Sequence, residues 1–157
     1  MSWIKPNFLW MMYRCGWATK PGQESVLAVR IRRSFFESLL IRAAWSSYTP
    51  ELCSSVDEWR RSLATSDVRL QWDPDHAPNG SPLKRKALQL GLRGRALSEY
   101  ADEAIQSVVD ITSFVEEQRV HARPPYSDLT VPVERVFVPD DAAAIANARI
   151  ACVPDPA

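Results

Sequence analysis

The chain has 157 residues, of which 46% are hydrophobic and 24% are charged, and its 19 basic and 19 acidic side chains cancel. This is the composition of an ordinary globular domain, and no apolar run approaches the roughly 18 residues that a membrane span requires. Three widely spaced cysteines and only two histidines favour reduced thiols in the cytoplasm and argue against a metal site.

The N-terminal stretch WIKPNFLWMMYRCGW predicts a short helix. Pro6 suits the first turn of a helix, and Gly16 suits the position just past its end. The residues between them are apolar on nearly every side, which is typical of a helix that lies inside a core. The start of the chain is therefore predicted to be buried, although chain termini are usually frayed.

Three segments alternate apolar with polar residues, which predicts three half-buried strands. They are VLAVRIRR, DVRLQWD and RKALQLGL. The residues expected to point inward are Leu27, Val29 and Ile31 in the first, Val68, Leu70 and Trp72 in the second, and Leu88, Leu90 and Leu92 in the third.

Helices are predicted between and after these strands. A Ser followed three residues later by a Glu, the spacing of a capping box, occurs three times. The three pairs are Ser34–Glu37, Ser55–Glu58 and Ser113–Glu116. A further helix is predicted over RALSEYADEA, and IQSVVDI either extends it or forms a fourth strand.

Strands interleaved with helices indicate an α+β fold, with a small mixed or mainly antiparallel sheet and helices packed on one face. We expect a single domain over residues 1–122. Residues 123–157 are rich in proline and predict an extension that wraps the domain or is partly disordered. A short helix in DDAAAIANARI is the most regular structure that this extension predicts.

The polar faces of the three strands suggest an anion-binding surface. If the strands share one sheet, guanidinium and amide groups converge there, and these groups suit phosphate or carboxylate. The side chains concerned are Arg30, Arg32, Arg69, Gln71, Asp73, Arg85 and Gln89. The alternative is that these side chains form the solvent-exposed face of a sheet whose other face is buried, and charged residues are common on such a face.

The aromatic N-terminal block offers further candidate contacts. Lys5 and Arg14 are placed to hold an anion, and Trp10 is placed to stack on a flat base. Glu24 is a candidate general base, or a partner for a ribose hydroxyl. The structural alternatives are a helix C-terminal cation for Arg14 and a turn residue for Glu24. The sequence contains no P-loop, nucleophile elbow or GxGxxG motif, so no motif of this kind identifies a reaction.

Five strings, in order, carry a resemblance to a known family: WIKPNFLWMMYRCGW, GQESVLAVRIRR, VRLQWDPD, LQLGLRG and VPVERVFVP. Over almost its whole length the chain resembles the family catalogued as domain of unknown function 4291. Members usually carry Ser at the positions of Asn7 and Cys15, and often Glu-Arg at Asp75–His76. Members also usually begin with a further Tyr-rich strand and helix, so the resemblance implies a shortened member lacking part of any site.

The family name implies no reaction, but its opening order of elements is similar to ADP-ribosyltransferase-like folds, which bind NAD in a cleft. That likeness implies Lys5 or Arg14 at the pyrophosphate, Trp10 or Tyr13 against a ring, and Glu24 or Asp73 as the acid. We therefore expect a cytoplasmic domain that binds a nucleotide-like or phosphate-bearing ligand, such as NAD, another nucleotide or RNA. The alternative is a non-catalytic protein-interaction domain or an inactive, shortened family member.

Overall fold

The strands form two sheets in this computed structural model, which describes residues 1–150. The strands are β1 (Ser2–Ile4), β2 (Leu27–Ile31), β3 (Ala44–Trp45), β4 (Val68–His76), β5 (Pro82–Leu92) and β6 (Ile105–Asp110). The main sheet has the order β1-β5-β4-β3 and is antiparallel except where β3 meets β4. The second sheet is the antiparallel pair of β2 and β6, so the α+β prediction is confirmed.

The helices are α1 (Phe8–Cys15), α2 (Arg33–Arg42), α3 (Val56–Thr65), α4 (Gly94–Glu99), α5 (Thr112–Arg119) and α6 (Ala142–Ala148). A π-helical turn over Tyr100–Ala104 follows α4 and leads into β6. The helix predicted over RALSEYADEA is therefore found, and the IQSVVDI segment is a strand. Within residues 1–150, no helix has the length and hydropathy needed to cross a membrane.

The main core lies between the inner face of β4 and β5 and the helices α2 and α6. Val68, Leu70, Leu90 and Leu92 are buried there, as the alternation predicted, together with Leu39 of α2. The first predicted strand is found as β2, and Ile31 packs against the main core, but the inward direction predicted for Leu27 and Val29 is wrong, since they are 55% and 37% exposed. β2 pairs with β6 instead of joining β4 and β5.

The prediction that the start of the chain is buried is wrong for its first residues, since Met1 is 55% exposed and Trp3 is 46% exposed, but α1 buries Met12 and Cys15. The left-handed conformation of Gly16 (φ 61°) ends α1, and the N–H of Gly16 donates to the Met12 carbonyl. Met12 and Cys15 lie in a second apolar cluster with Trp17 and Val115. The same segment contacts the outer face of β4 and β5, the face opposite the main core. Ala87, predicted to point outward, is fully buried on that face.

One of the three predicted capping boxes is found. Ser55 caps α3 by accepting a 3.2 Å hydrogen bond from Glu58 N, while the Glu58 carboxylate accepts from Ser54. The boxes predicted at Ser34 and Ser113 are wrong. The helices α2 and α5 begin at Arg33 and Thr112, one residue before the serine, so each serine lies inside the first turn instead of at the cap.

Helix α6 packs into the main core, and the short helix predicted in DDAAAIANARI is confirmed. Ala144 and Ala148 are fully buried against the α2 side of the core. Asn147 Nδ2 donates to the backbone carbonyls of Leu40 at 2.6 Å and Ala43 at 3.0 Å. Residues 151–157, which include Cys152, lie outside the described part of the chain.

We expect Asn147→Ala to lower the free energy of unfolding by about 1–3 kcal/mol, because it leaves two carbonyls at the end of α2 without their donor. Urea denaturation followed by circular dichroism measures the change. Ala146→Ser, at an exposed position on the same helix, is the control and should cost about 0.5 kcal/mol or less. Equal effects of the two substitutions would contradict this role of Asn147.

Candidate functional site

A polar network on the outer face of β4 and β5 joins the N-terminal segment to the main sheet. The Asp73 carboxylate accepts hydrogen bonds of 2.8 Å from Lys5 Nζ, Gln71 Nε2 and Gln89 Nε2. The Lys5 ammonium also lies 2.8 Å from the centroid of a Trp10 ring. These five residues were all predicted as site residues from the sequence, and the structure brings them together.

This network is closed to solvent at its centre. The side chain of Lys5 is 2% exposed and that of Asp73 is 19% exposed. Burial lowers the pKa of Lys5 from 10.5 to about 8, and the hydrogen bond and negative charge of Asp73 oppose that shift. The groups predicted to hold a ligand therefore contact one another, and these contacts link α1 and the segment before it to β4 and β5.

A second ion pair lies two residues farther along β4. The Asp75 side chain is 2% exposed, and its Oδ2 accepts from Arg85 Nε at 2.8 Å and Arg85 Nη2 at 2.5 Å. Asp75 Oδ1 accepts from His76 N at 2.8 Å. The Arg85 side chain is 48% exposed, and its Nη2 also lies 3.6 Å from Glu134 Oε2. A buried carboxylate thus orients a guanidinium that reaches the surface.

A cleft of about 230 Å³ opens beside this pair. Its walls are the first turn of α1 (Phe8, Leu9), Asp75 and His76 at the end of β4, Arg85 on β5, and Val131, Pro132 and Glu134. Glu134 Oε1 accepts a 2.7 Å hydrogen bond from Phe8 N. His76 Nδ1 is buried and has no hydrogen-bond partner within residues 1–150. The cleft combines apolar walls with one oriented cation and the carboxylates of Asp75 and Glu134.

The other predicted site residues lie elsewhere. Arg14 is exposed in the last turn of α1, and Glu24 is exposed in a turn, where it accepts from Gly22 N. Arg30 is exposed on β2, which is not part of the main sheet. Arg69 donates to the Leu63 and Ser66 carbonyls at the end of α3. The predicted convergence of arginines on one sheet face is therefore wrong.

The cleft residues Phe8, Asp75, His76 and Glu134 were not predicted as site residues. Asp75 has the same strand parity as Asp73, so the alternation of β4 carried a signal for it. The predicted strand DVRLQWD ends at Asp73, whereas β4 continues through Pro74 to His76. No local pattern marks Glu134, whose contact with Phe8 joins positions 126 residues apart.

Two other kinds of candidate site have less support than the cleft. A larger and shallower depression of about 390 Å³ lies beside Arg42, Ser62 and Ser66, and it contains none of the predicted site residues. In the part of the chain that the structure describes, no three His, Cys, Asp or Glu side chains meet in a group that could hold a metal ion. The 230 Å³ cleft beside Arg85 is therefore the candidate site.

Comparison with known proteins gives one match. A family model described as a domain of unknown function, DUF4291, matches residues 1–137. The matched span contains the Asp73 network and every wall of the cleft, including Glu134. No curated protein and no solved structure matches the chain.

The lowered pKa of Lys5 predicts a pH-dependent contribution to stability. Above about 8 the folded chain loses this proton, whereas the unfolded chain keeps it up to 10.5. Unfolding then takes up a proton, so this group makes the free energy of unfolding rise with pH. We expect the stability of the native chain relative to Lys5→Met to increase between about pH 7 and about pH 9.5, in urea titrations.

The control is Lys84→Met, which removes an exposed ammonium from β5. Its stability relative to the native chain should stay constant over the same pH range. A constant difference for Lys5→Met as well would show that the Lys5 amine titrates like a solvated one.

Proposed function

The chain belongs to the family described as domain of unknown function, DUF4291. We propose that it binds a phosphate-bearing, nucleotide-like ligand in the cleft beside Arg85. The observation that carries this proposal is the arrangement of Arg85, whose guanidinium is oriented by buried Asp75 while its side chain is still 48% exposed. The proposal concerns binding and assigns no reaction.

The geometry of Arg85 favours a carboxylate or a phosphate as its ligand. Its Nε and Nη2 are used by Asp75, while its Nη1 makes no hydrogen bond within the described residues. Because the guanidinium is already held in place, little side-chain entropy remains to be lost when a phosphate binds. Lys84 and Lys86, its neighbours on β5, are exposed but have the opposite strand parity, so they lie on the other face of the sheet.

The remaining walls suit the non-phosphate part of such a ligand. Phe8, Val131 and Pro132 provide apolar surface for the face of a base or a ribose. His76 also lines the cleft, but its Nδ1 is buried and is not available to a ligand there. A volume of about 230 Å³ lies below the roughly 300–1,000 Å³ of most ligand pockets, so the cleft would hold a phosphate with part of a nucleoside, and a dinucleotide such as NAD would extend beyond it.

Glu134 is the group that opposes an incoming anion. Its carboxylate lies 3.6 Å from Arg85 Nη2 and accepts from Phe8 N. It belongs to an extended segment without regular secondary structure, in which the neighbouring Val133 is 91% exposed. Binding of a phosphate at Arg85 therefore requires the Glu134 side chain to rotate away. Loss of its negative charge should make binding easier.

We also propose that the protein is cytoplasmic. Cys15 and Cys53 both carry free thiols, which suits a reducing compartment.

We expect Glu134→Gln to tighten binding of AMP or NAD by roughly 3-fold to 10-fold, because it removes a like charge and keeps an acceptor for Phe8 N. Arg85→Lys should weaken binding by about 10-fold or more, since an ammonium cannot replace the oriented fork. Isothermal titration calorimetry with inorganic phosphate, AMP, NAD, ATP and a short RNA measures both changes.

Arg30→Ala is the matched control, because Arg30 is an exposed arginine on the other sheet. It should leave the affinity for AMP or NAD unchanged. The proposal is wrong if none of the five probes binds, or if Arg30→Ala weakens binding as much as Arg85→Lys does.

A further inference from the structure

The ribbon of β2 and β6 exposes apolar side chains on both of its faces. Val29 is 37% exposed and its cross-strand neighbour Val108 is 51% exposed, on one face. On the other face Val109 is 55% exposed opposite Ala28. An isolated two-stranded ribbon is marginally stable in water, so exposure of this kind indicates a surface that is covered by a partner.

The two unpaired edges of this ribbon differ in charge. Within residues 1–150 each strand has one neighbour only, so β2 and β6 each present a row of unpaired backbone groups. The β2 edge is basic, with Arg30 in the strand and Arg32 and Arg33 directly after it. The β6 edge, IQSVVD, contains no basic residue, no proline and no glycine. Lysine, proline and similar protective devices are therefore missing from β6.

We propose that β6 is a homodimer interface, in which two copies of this strand pair antiparallel about a two-fold axis at Val108. This arrangement extends the ribbon to a four-stranded sheet of the order β2-β6-β6-β2. Pairing a strand with its own copy is isologous, so the assembly closes as a dimer. The occupant of the edge is thus a second copy of this chain.

The side chains select this register. With Val108 opposite Val108 of the second copy, Gln106 lies opposite Asp110 of the second copy, and the reverse pair forms at the other end. Each pair joins an amide donor to a carboxylate, and Asp110 Oδ1 also accepts from Thr112 N within its own chain. A register centred on Val109 would instead place Val108 opposite Asp110, which is a poorer cross-strand pair.

The test combines the oligomeric state with a register-specific cross-link. Sedimentation velocity over a concentration series should show a monomer–dimer equilibrium. Val108→Cys, in a Cys53→Ser and Cys152→Ser background, should form an intermolecular disulfide on mild oxidation. Directly opposed residues of antiparallel strands have Cα atoms about 4.5–5.5 Å apart, which a disulfide spans. Val133→Cys, at a valine that is 91% exposed, is the control and should stay monomeric on a non-reducing gel.

Val108→Lys should raise the dimer dissociation constant at least 10-fold by placing like charges at the axis, and Val133→Lys should not change it. Both valines are exposed, so neither substitution disturbs a core. The proposal is overturned by a monomer at every concentration, or by a dimer that Val108→Cys fails to cross-link. Concentration-dependent growth beyond a dimer would also overturn it, because that result indicates open β2–β6 pairing between copies.

Discussion

The Asp73 carboxylate accepts hydrogen bonds from three side chains that come from three parts of the chain. Lys5 lies 68 residues away in sequence, so this contact joins the N-terminal segment to β4, beside the pairing of β1 with β5. The ammonium of Lys5 is buried, and a buried charge whose partner is removed costs about 3–5 kcal/mol. Since Phe8 and Leu9 are the first two residues of α1, this wall of the cleft depends on the attachment of α1 to the sheet.

Two aspartates with the same strand parity thus have different roles. Asp73 is saturated by neutral and charged donors and leaves little for a ligand to contact. Asp75 is more deeply buried, and it orients Arg85, which remains half exposed at the cleft. The first carboxylate positions α1 and the second positions the guanidinium, so one strand sets both sides of the candidate site. The exposed β2–β6 ribbon belongs to a separate surface.

The elements that the sequence predicted well are those whose signal is local. Gly16 ends α1 as predicted, although the helix begins at Phe8, after Pro6, and the alternation in β4 and β5 places their leucines in the core. The placement of β2 was not predictable in this way, because its partner β6 lacks a clear alternation of apolar residues. The cleft depends on a contact between positions 126 residues apart and on a strand that continues through Pro74, and neither has a local signature.

The attachment of α1 through Lys5 and Asp73 is tested most directly by a double-mutant cycle. Lys5→Met, Asp73→Asn and the double variant would be compared with the native chain by urea denaturation near neutral pH. Because each group is buried against the other, we expect a coupling free energy of about 2 kcal/mol or more. A coupling below about 0.5 kcal/mol would mean that the two substitutions act independently, and it would contradict the account of how the cleft is held together.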